Sequence, residues 1–138
     1  MNFLLDTNVV SEWIKPHPNL GLMSWMESAD EDRIFISVLT FAELRCGVER
    51  LSPGRRRSRL EEWLGHDLPL RFESRVLPID TVVAEAWGRM MSRSEAVGRP
   101  MSVMNAFLAA TAESHQLTLV TRNISDFPAL EFVLNPWN

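Results

Sequence analysis

An α/β sandwich with a mainly parallel central sheet is the fold predicted by this 138-residue sequence. Three observations carry that prediction. Short apolar runs recur along the chain, each followed by a longer segment with apolar residues at helical spacing. Breaks rich in proline and glycine separate several of these segments, at Pro16 and Pro18, Ser52-Pro53-Gly54 and Gly98-Arg99-Pro100. There is no internal repeat, low-complexity stretch or linker, and the length suits one hydrophobic core, so 1–138 reads as a single domain. Alternating strands and helices favour a parallel sheet whose sites lie beyond the carboxyl ends of the strands.

The elements follow in order. Phe3-Leu4-Leu5 is a first strand; Val9, Val10, Trp13 and Ile14 then take helical spacing, with Thr7 or Asn8 as cap and Pro16 and Pro18 as the stop. Leu20 to Ser28 is a second helix leading into the solvated acidic run Asp30-Glu31-Asp32, and Arg33 to Ser37 is a second buried strand. From Thr40, the residues Phe41, Leu44, Val48 and Leu51 repeat at helical spacing; Ser52-Pro53-Gly54 breaks the chain, and Arg55 to Leu68 forms the antiparallel mate. Arg75 to Ile79 is a third strand, capped into a helix by Asp80 or Thr81 and closed by Gly98-Arg99-Pro100. The alanine-rich stretch Ser102 to Ser114 is a helix packed on several sides, Leu117 to Thr121 a fourth strand, and Phe132 to Leu134 a short last one.

Composition removes several classes of function. The single cysteine, Cys46, excludes an internal disulfide framework and a multi-cysteine zinc site, and suits a reducing, cytoplasmic setting. The first residues lack a basic leader region and no apolar stretch reaches 18 residues, so neither secretion nor membrane spanning is expected. Fourteen basic against eighteen acidic residues give a net charge of −4, which argues weakly against non-specific nucleic-acid binding. All the basic residues except Lys15 are arginines, however, and Arg45 to Arg59 hold six of them, enough for a local basic face.

With a parallel sheet, Asp6 follows the first strand, Glu43 comes soon after the second and Asp126 soon after the fourth, while Asn105 stands in the first turn of a helix entering the same edge. Carboxylates that converge without a basic partner need a cation, and hard divalent ions such as Mg²⁺ or Mn²⁺ prefer oxygen ligands. Such ions acidify bound water and stabilise a leaving oxygen, the chemistry of phosphodiester hydrolysis. Each acid also has a local reading: Asp6 as a helix cap, Glu43 as partner of Thr40 in a capping box, Asp126 as a turn former.

The segments Leu5-Asp6-Thr7-Asn8-Val9-Val10-Ser11-Glu12, Ser37 to Gly47 and Leu119 to Phe127 together resemble PIN-domain ribonucleases, above all the VapC toxins of bacterial type II toxin–antitoxin pairs in their FitB-like branch. The resemblance spans essentially the whole chain and implies a PIN-like α/β/α sandwich. It also implies a Mg²⁺- or Mn²⁺-dependent endoribonuclease with metal-binding acids at Asp6, Glu43 and Asp126, and support from Thr7, Thr121 and Asn123. The partners it implies are RNA, a second copy of the chain and a VapB/FitA-type antitoxin, through which alone operator DNA would be bound.

Asn105 departs from the family pattern, which has an aspartate there. An amide offers one carbonyl oxygen and no charge, so weaker metal binding and reduced activity are expected. Natural divergence and a deliberate Asp→Asn replacement both account for the amide, and the otherwise intact flanking motif favours the replacement. The leading alternative is a catalytically inactive module that binds antitoxin within a DNA-binding repressor complex. A phosphatase with Asp6 as nucleophile is disfavoured, because Asn8 stands where such enzymes carry a second acid. The Arg55-Arg56-Arg57 run is read mainly as a solvated face paired with Glu61 and Glu62, Cys46 as a buried thiol and most of the five tryptophans as core. Trp13, Trp25 and Trp63 are candidates for partner contacts, and Trp137 for sealing the last strand.

Overall fold

A computed structural model describes residues 1–128 and 130–138. Five strands, β1 (Phe3–Leu5), β2 (Ile34–Ser37), β3 (Val76–Leu77), β4 (Thr118–Val120) and β5 (Val133–Leu134), form one sheet in the order β3-β2-β1-β4-β5. Every described pairing is parallel, with Leu4 opposite Phe35 on one side and Leu119 on the other. β1 is central, the chain building outward from it first through β2 and β3 and then through β4 and β5. The crevice between β1 and β4, where the winding reverses, is the topological switch point of such sheets.

The period-two alternation of strands distributes the core over both faces. Leu5, Ile34, Ile36 and Val120 point to one face, where they pack with Val9, Val10, Leu22, Val48, Leu64, Leu68 and Phe72. These come from α1 (Thr7–Trp13), α2 (Leu20–Ser28), α3 (Val38–Glu49), the segment after α4 (Arg55–Glu62), and α5 (Leu68–Phe72). Leu4 and Leu119 point the other way, against Met90 of α6 (Thr81–Ala96) and Ala106, Leu108, Ala109 and Ala112 of α7 (Val103–Ser114). The fully buried alanines of α7 let that helix lie close to its neighbours, so a larger residue there would overpack it.

Several expectations need correction. The cap of α1 is Asp6, not Thr7 or Asn8: its carboxylate accepts from the Thr7 amide at 2.7 Å. α3 begins at Val38, two residues before Thr40, because the Ser37 hydroxyl caps it through the Leu39 amide. The helix from Arg55 does not stop at Leu68; a π-helical turn at Trp63–Asp67 joins it to α5, which carries Pro69 in its first turn. The third strand shrinks to Val76–Leu77. Cys46 is exposed rather than buried, on the solvent side of α3. All five tryptophans are half-buried at the edge of the core, not inside it. Among the described residues no helix is long and apolar enough to cross a membrane.

The arginine run divides. Arg57 bonds Glu61 at 2.8 Å, Glu49 at 2.9 Å and the Leu51 carbonyl at 3.1 Å, tying α4 to the end of α3. Arg55, Arg56 and Arg59 are exposed and have no ion pair among the described residues.

Candidate active site

Asp6, Glu43, Asn105 and Asp126 line one cleft of about 420 Å³ at the carboxyl edge of the sheet. Asp6 is the residue after β1 and is held from three sides. Its Oδ1 accepts from the Thr7 amide; its Oδ2 accepts from the Thr121 hydroxyl at 2.8 Å and from Asn8 Nδ2 at 3.4 Å. Thr121, fully buried after β4, also accepts from Asn8 Nδ2 at 3.3 Å and from the Asn123 amide at 3.1 Å. One hydroxyl thus locks Asp6 to the loop that carries Asp126 across the switch point.

Glu43 is exposed in the second turn of α3 and accepts from the Thr7 hydroxyl at 2.7 Å. Because Ser37 starts that helix, Glu43 lies too far along it to complete a capping box with Thr40. Thr40 is instead buried, its hydroxyl 3.3 Å from that of Thr7. Asp126 ends a short 3-10 turn, Ile124–Asp126, and its side chain makes no hydrogen bond among the described residues, so it does not build the turn. Asn105 sits in the first turn of α7, where its amide N–H is taken by the cap Ser102 at 3.2 Å. Asn123 lines the cleft as well. Of the local readings, only the helix cap at Asp6 is realised, through Oδ1.

Burial is the main influence that raises the Asp6 carboxyl above its ordinary value. The bonds from Thr121 and Thr7 oppose that rise, and the neighbouring charges of Glu43 and Asp126 add to it. No Lys or Arg pairs with Asp6, Glu43 or Asp126 among the described residues. The donor set is therefore acidic, oxygen-only and uncompensated, which fits a hard divalent cation. No three His, Cys, Asp or Glu side chains among the described residues stand close enough to cage an ion by themselves.

The sequence matches the PIN domain family over residues 3–132. The chain belongs to the PIN-domain family. It is 37% identical to the toxin FitB of Neisseria gonorrhoeae over 136 residues, 98% of each chain. It is 30% identical to the VapC ribonuclease Y4jK of Sinorhizobium fredii over 135 residues, 97% of this chain and 96% of that one. A chain in the structure of FitAB bound to an IR36 DNA fragment superimposes with a TM-score of 0.91 at 34% identity, covering 99% of this chain and 96% of that one.

Further residues of this PIN domain line the same cleft: Asn8, Ser11, Glu12, Lys15, Arg122 and Trp137. Ser11 and Glu12 lie one turn beyond Asn8 on α1, so helical periodicity from Asp6 onward would have found them. Glu12 is nearly buried and held below the usual carboxylate range, first by the Lys15 bond at 2.9 Å and then by the Asn19 amide at 2.9 Å. Nothing in the local pattern brings in Trp137, which reaches the cleft only through the path of the C-terminal tail.

Proposed function

We propose that this PIN domain is the toxin of a toxin–antitoxin pair: an endoribonuclease that uses Mg²⁺ or Mn²⁺ and is impaired by Asn105. The observation that carries the reading is the convergence of Asp6, Glu43 and Asp126 with Asn105 in one cleft at the switch point of the sheet. Likeness to a VapC ribonuclease supports the reaction class. A bound divalent ion would supply acidification of water and charge stabilisation at the leaving oxygen. The protein's own work is orientation: Thr121 and the Thr7 amide fix Asp6, the Thr7 hydroxyl fixes Glu43, and Asn105 offers a neutral carbonyl oxygen where an aspartate would add charge.

The proposed partners are RNA as substrate, a FitA/VapB-type antitoxin, operator DNA reached through that antitoxin, and a second copy of the chain. The FitAB structure supports the antitoxin and DNA assignments. Exposed Val38 at the start of α3 and Val103 and Met104 at the start of α7 supply apolar surface for protein contact. A cytoplasmic location belongs to the same reading.

Incubating RNA and Mn²⁺ with the chain and with Asn105→Asp tests the reaction. Weak cleavage by the first and a gain of at least tenfold in the second are expected, with 5′-phosphate and 3′-hydroxyl ends. Equal activity, or 2′,3′-cyclic phosphate ends, would reject the mechanism. Asn105 also favours a second reading, an inert antitoxin-binding module. That reading prevails if both proteins are inactive yet bind antitoxin tightly.

A further inference from the structure

Besides its acids, the cleft carries an aromatic ring and two cations, with Glu12 beside them. Trp137, Arg122 and Lys15 line it together with the carboxylates. Lys15 is neutralised by Glu12 at 2.9 Å, whereas the Arg122 side chain has no carboxylate within salt-bridge distance among the described residues. Arg122 is exposed, and its guanidinium carbon lies 5.9 Å from the centre of the Trp137 ring. Trp137 is half-buried, packed partly on the core and partly facing the cleft.

The ring is held by its backbone. Asn135 Oδ1 accepts from the Trp137 amide at 2.9 Å while Asn135 Nδ2 donates to the Arg122 carbonyl at 3.3 Å, so one side chain sets both residues. The tail then runs against α2, where Asn19 bonds Asn138 twice, each at 3.3 Å. Gly21 makes room for it: a Cβ there would stand 2.6 Å from the Pro136 carbonyl oxygen. An aromatic ring fixed beside an unpaired arginine, in a cleft that also carries acids suited to a metal, is a stacking platform next to a phosphate donor.

We propose that Trp137 and Arg122 form a nucleotide subsite, in which the base of an unpaired ribonucleotide next to the scissile phosphate stacks on Trp137 and Arg122 holds that nucleotide's phosphate. The proposal rests on the nuclease reading of the acids. The cleft volume of about 420 Å³ lies within the ~300–1,000 Å³ of small-ligand sites, enough for a nucleotide. The Arg122 guanidinium now stands 5.9 Å over the Trp137 ring, so a swing of this exposed side chain off the ring uncovers the face on which a base stacks at ~3.5 Å and turns the guanidinium to the phosphate. A base in a duplex has both faces covered, so the subsite selects single strands.

The test is fluorescence anisotropy with the full chain and a labelled single-stranded RNA oligonucleotide, with Ca²⁺ neutralising the acids and again in EDTA. Trp137→Ala should weaken binding in Ca²⁺ by roughly 5- to 100-fold and Trp137→Phe should retain most of it, as expected for base stacking. Arg122→Ala should lower the salt slope by about one. Blunt duplex RNA should bind more weakly than the single strand. Unchanged single-strand binding in folded Trp137→Ala, or no binding by the parent chain in Ca²⁺, overturns the subsite. If Trp137→Ala unfolds, an unchanged salt slope in Arg122→Ala does so instead. The two readings fail separately. Trp137-dependent binding with no cleavage by Asn105→Asp in Mn²⁺ refutes the nuclease reading alone; cleavage whose KM is insensitive to Trp137→Ala refutes the subsite alone.

Discussion

Thr121 is the residue on which the candidate site turns, because a single buried hydroxyl donates to Asp6 and accepts from both Asn8 and the Asn123 amide. Thr121→Val keeps the branched shape and removes all three bonds. The loss of a charge-assisted bond to a partly buried carboxylate should cost about 1.5–3 kcal/mol, read as a shift in the urea midpoint; Asn8 Nδ2 keeps its 3.4 Å bond to Asp6 and the exposed Asn123 amide turns to water. The Asp6 carboxyl should also titrate higher, since the Thr121 bond is the strongest influence holding it down against burial; carboxyl NMR titration checks the direction. Asn105 has the opposite character: its side chain makes no hydrogen bond among the described residues, so Asn105→Asp disturbs no contact. It should lower the metal-free melting temperature through repulsion and raise Mn²⁺ affinity, the first seen by calorimetric melting and the second by titration.

Two helical glycines at the element scale carry opposite expectations. Gly88, exposed in α6, has nothing within 4 Å of a built Cβ, so Gly88→Ala should stabilise by about 0.5–1 kcal/mol through helix propensity and lost unfolded-state entropy. Gly21 has the same propensity argument, but its Cβ would meet the Pro136 oxygen at 2.6 Å and the Asn138 nitrogen at 2.8 Å. Both obstacles are backbone, so Gly21→Ala should be destabilising and should free the C-terminal tail; thermal melts of the pair compare the signs. The sequence shows neither difference, because it rests on a contact between residues more than a hundred positions apart. What the sequence does show is periodicity. β1, α2, β2 and α7 emerge close to their expected bounds because apolar spacing is local. α3 starts early because Ser37 is both the last strand residue and the cap, and the helix through Trp63 outlasts its expected end because a π-turn and Pro69 in the first turn of α5 do not break it. Thiols are often buried, yet Cys46 falls on the side of α3 that faces solvent, which composition does not show.

Across the whole molecule, the sheet gathers acids from three distant segments, and that is what makes the cleft costly without a cation. The motif chemistry of Asp6, Glu43 and Asp126 was legible because each follows an apolar strand run; Trp137 became visible as a cleft residue only with tertiary placement. The cost can be measured through pH. Asp6 has an ordinary value of 3.8 and is raised in the folded protein, chiefly by burial. Below that ordinary value both states hold the proton and the group's stabilising contribution is complete. As pH rises through the higher folded value the contribution is lost, since the folded state must now ionise a buried acid beside Glu43 and Asp126. A divalent ion needs the ionised form, so its stabilising effect grows over the same interval. Mn²⁺ at about 100 times its Kd should add about 2.7 kcal/mol at pH 7.5, a rise in Tm on the order of 10 °C, and distinctly less at pH 5. Glu43→Gln keeps the acceptor for the Thr7 hydroxyl while removing charge, so it should raise the metal-free Tm and shrink the Mn²⁺ increment. An increment equal at both pH values and indifferent to Glu43→Gln would place the ion away from these carboxylates, since only a ligand set that must lose a proton couples metal affinity to pH in this sense.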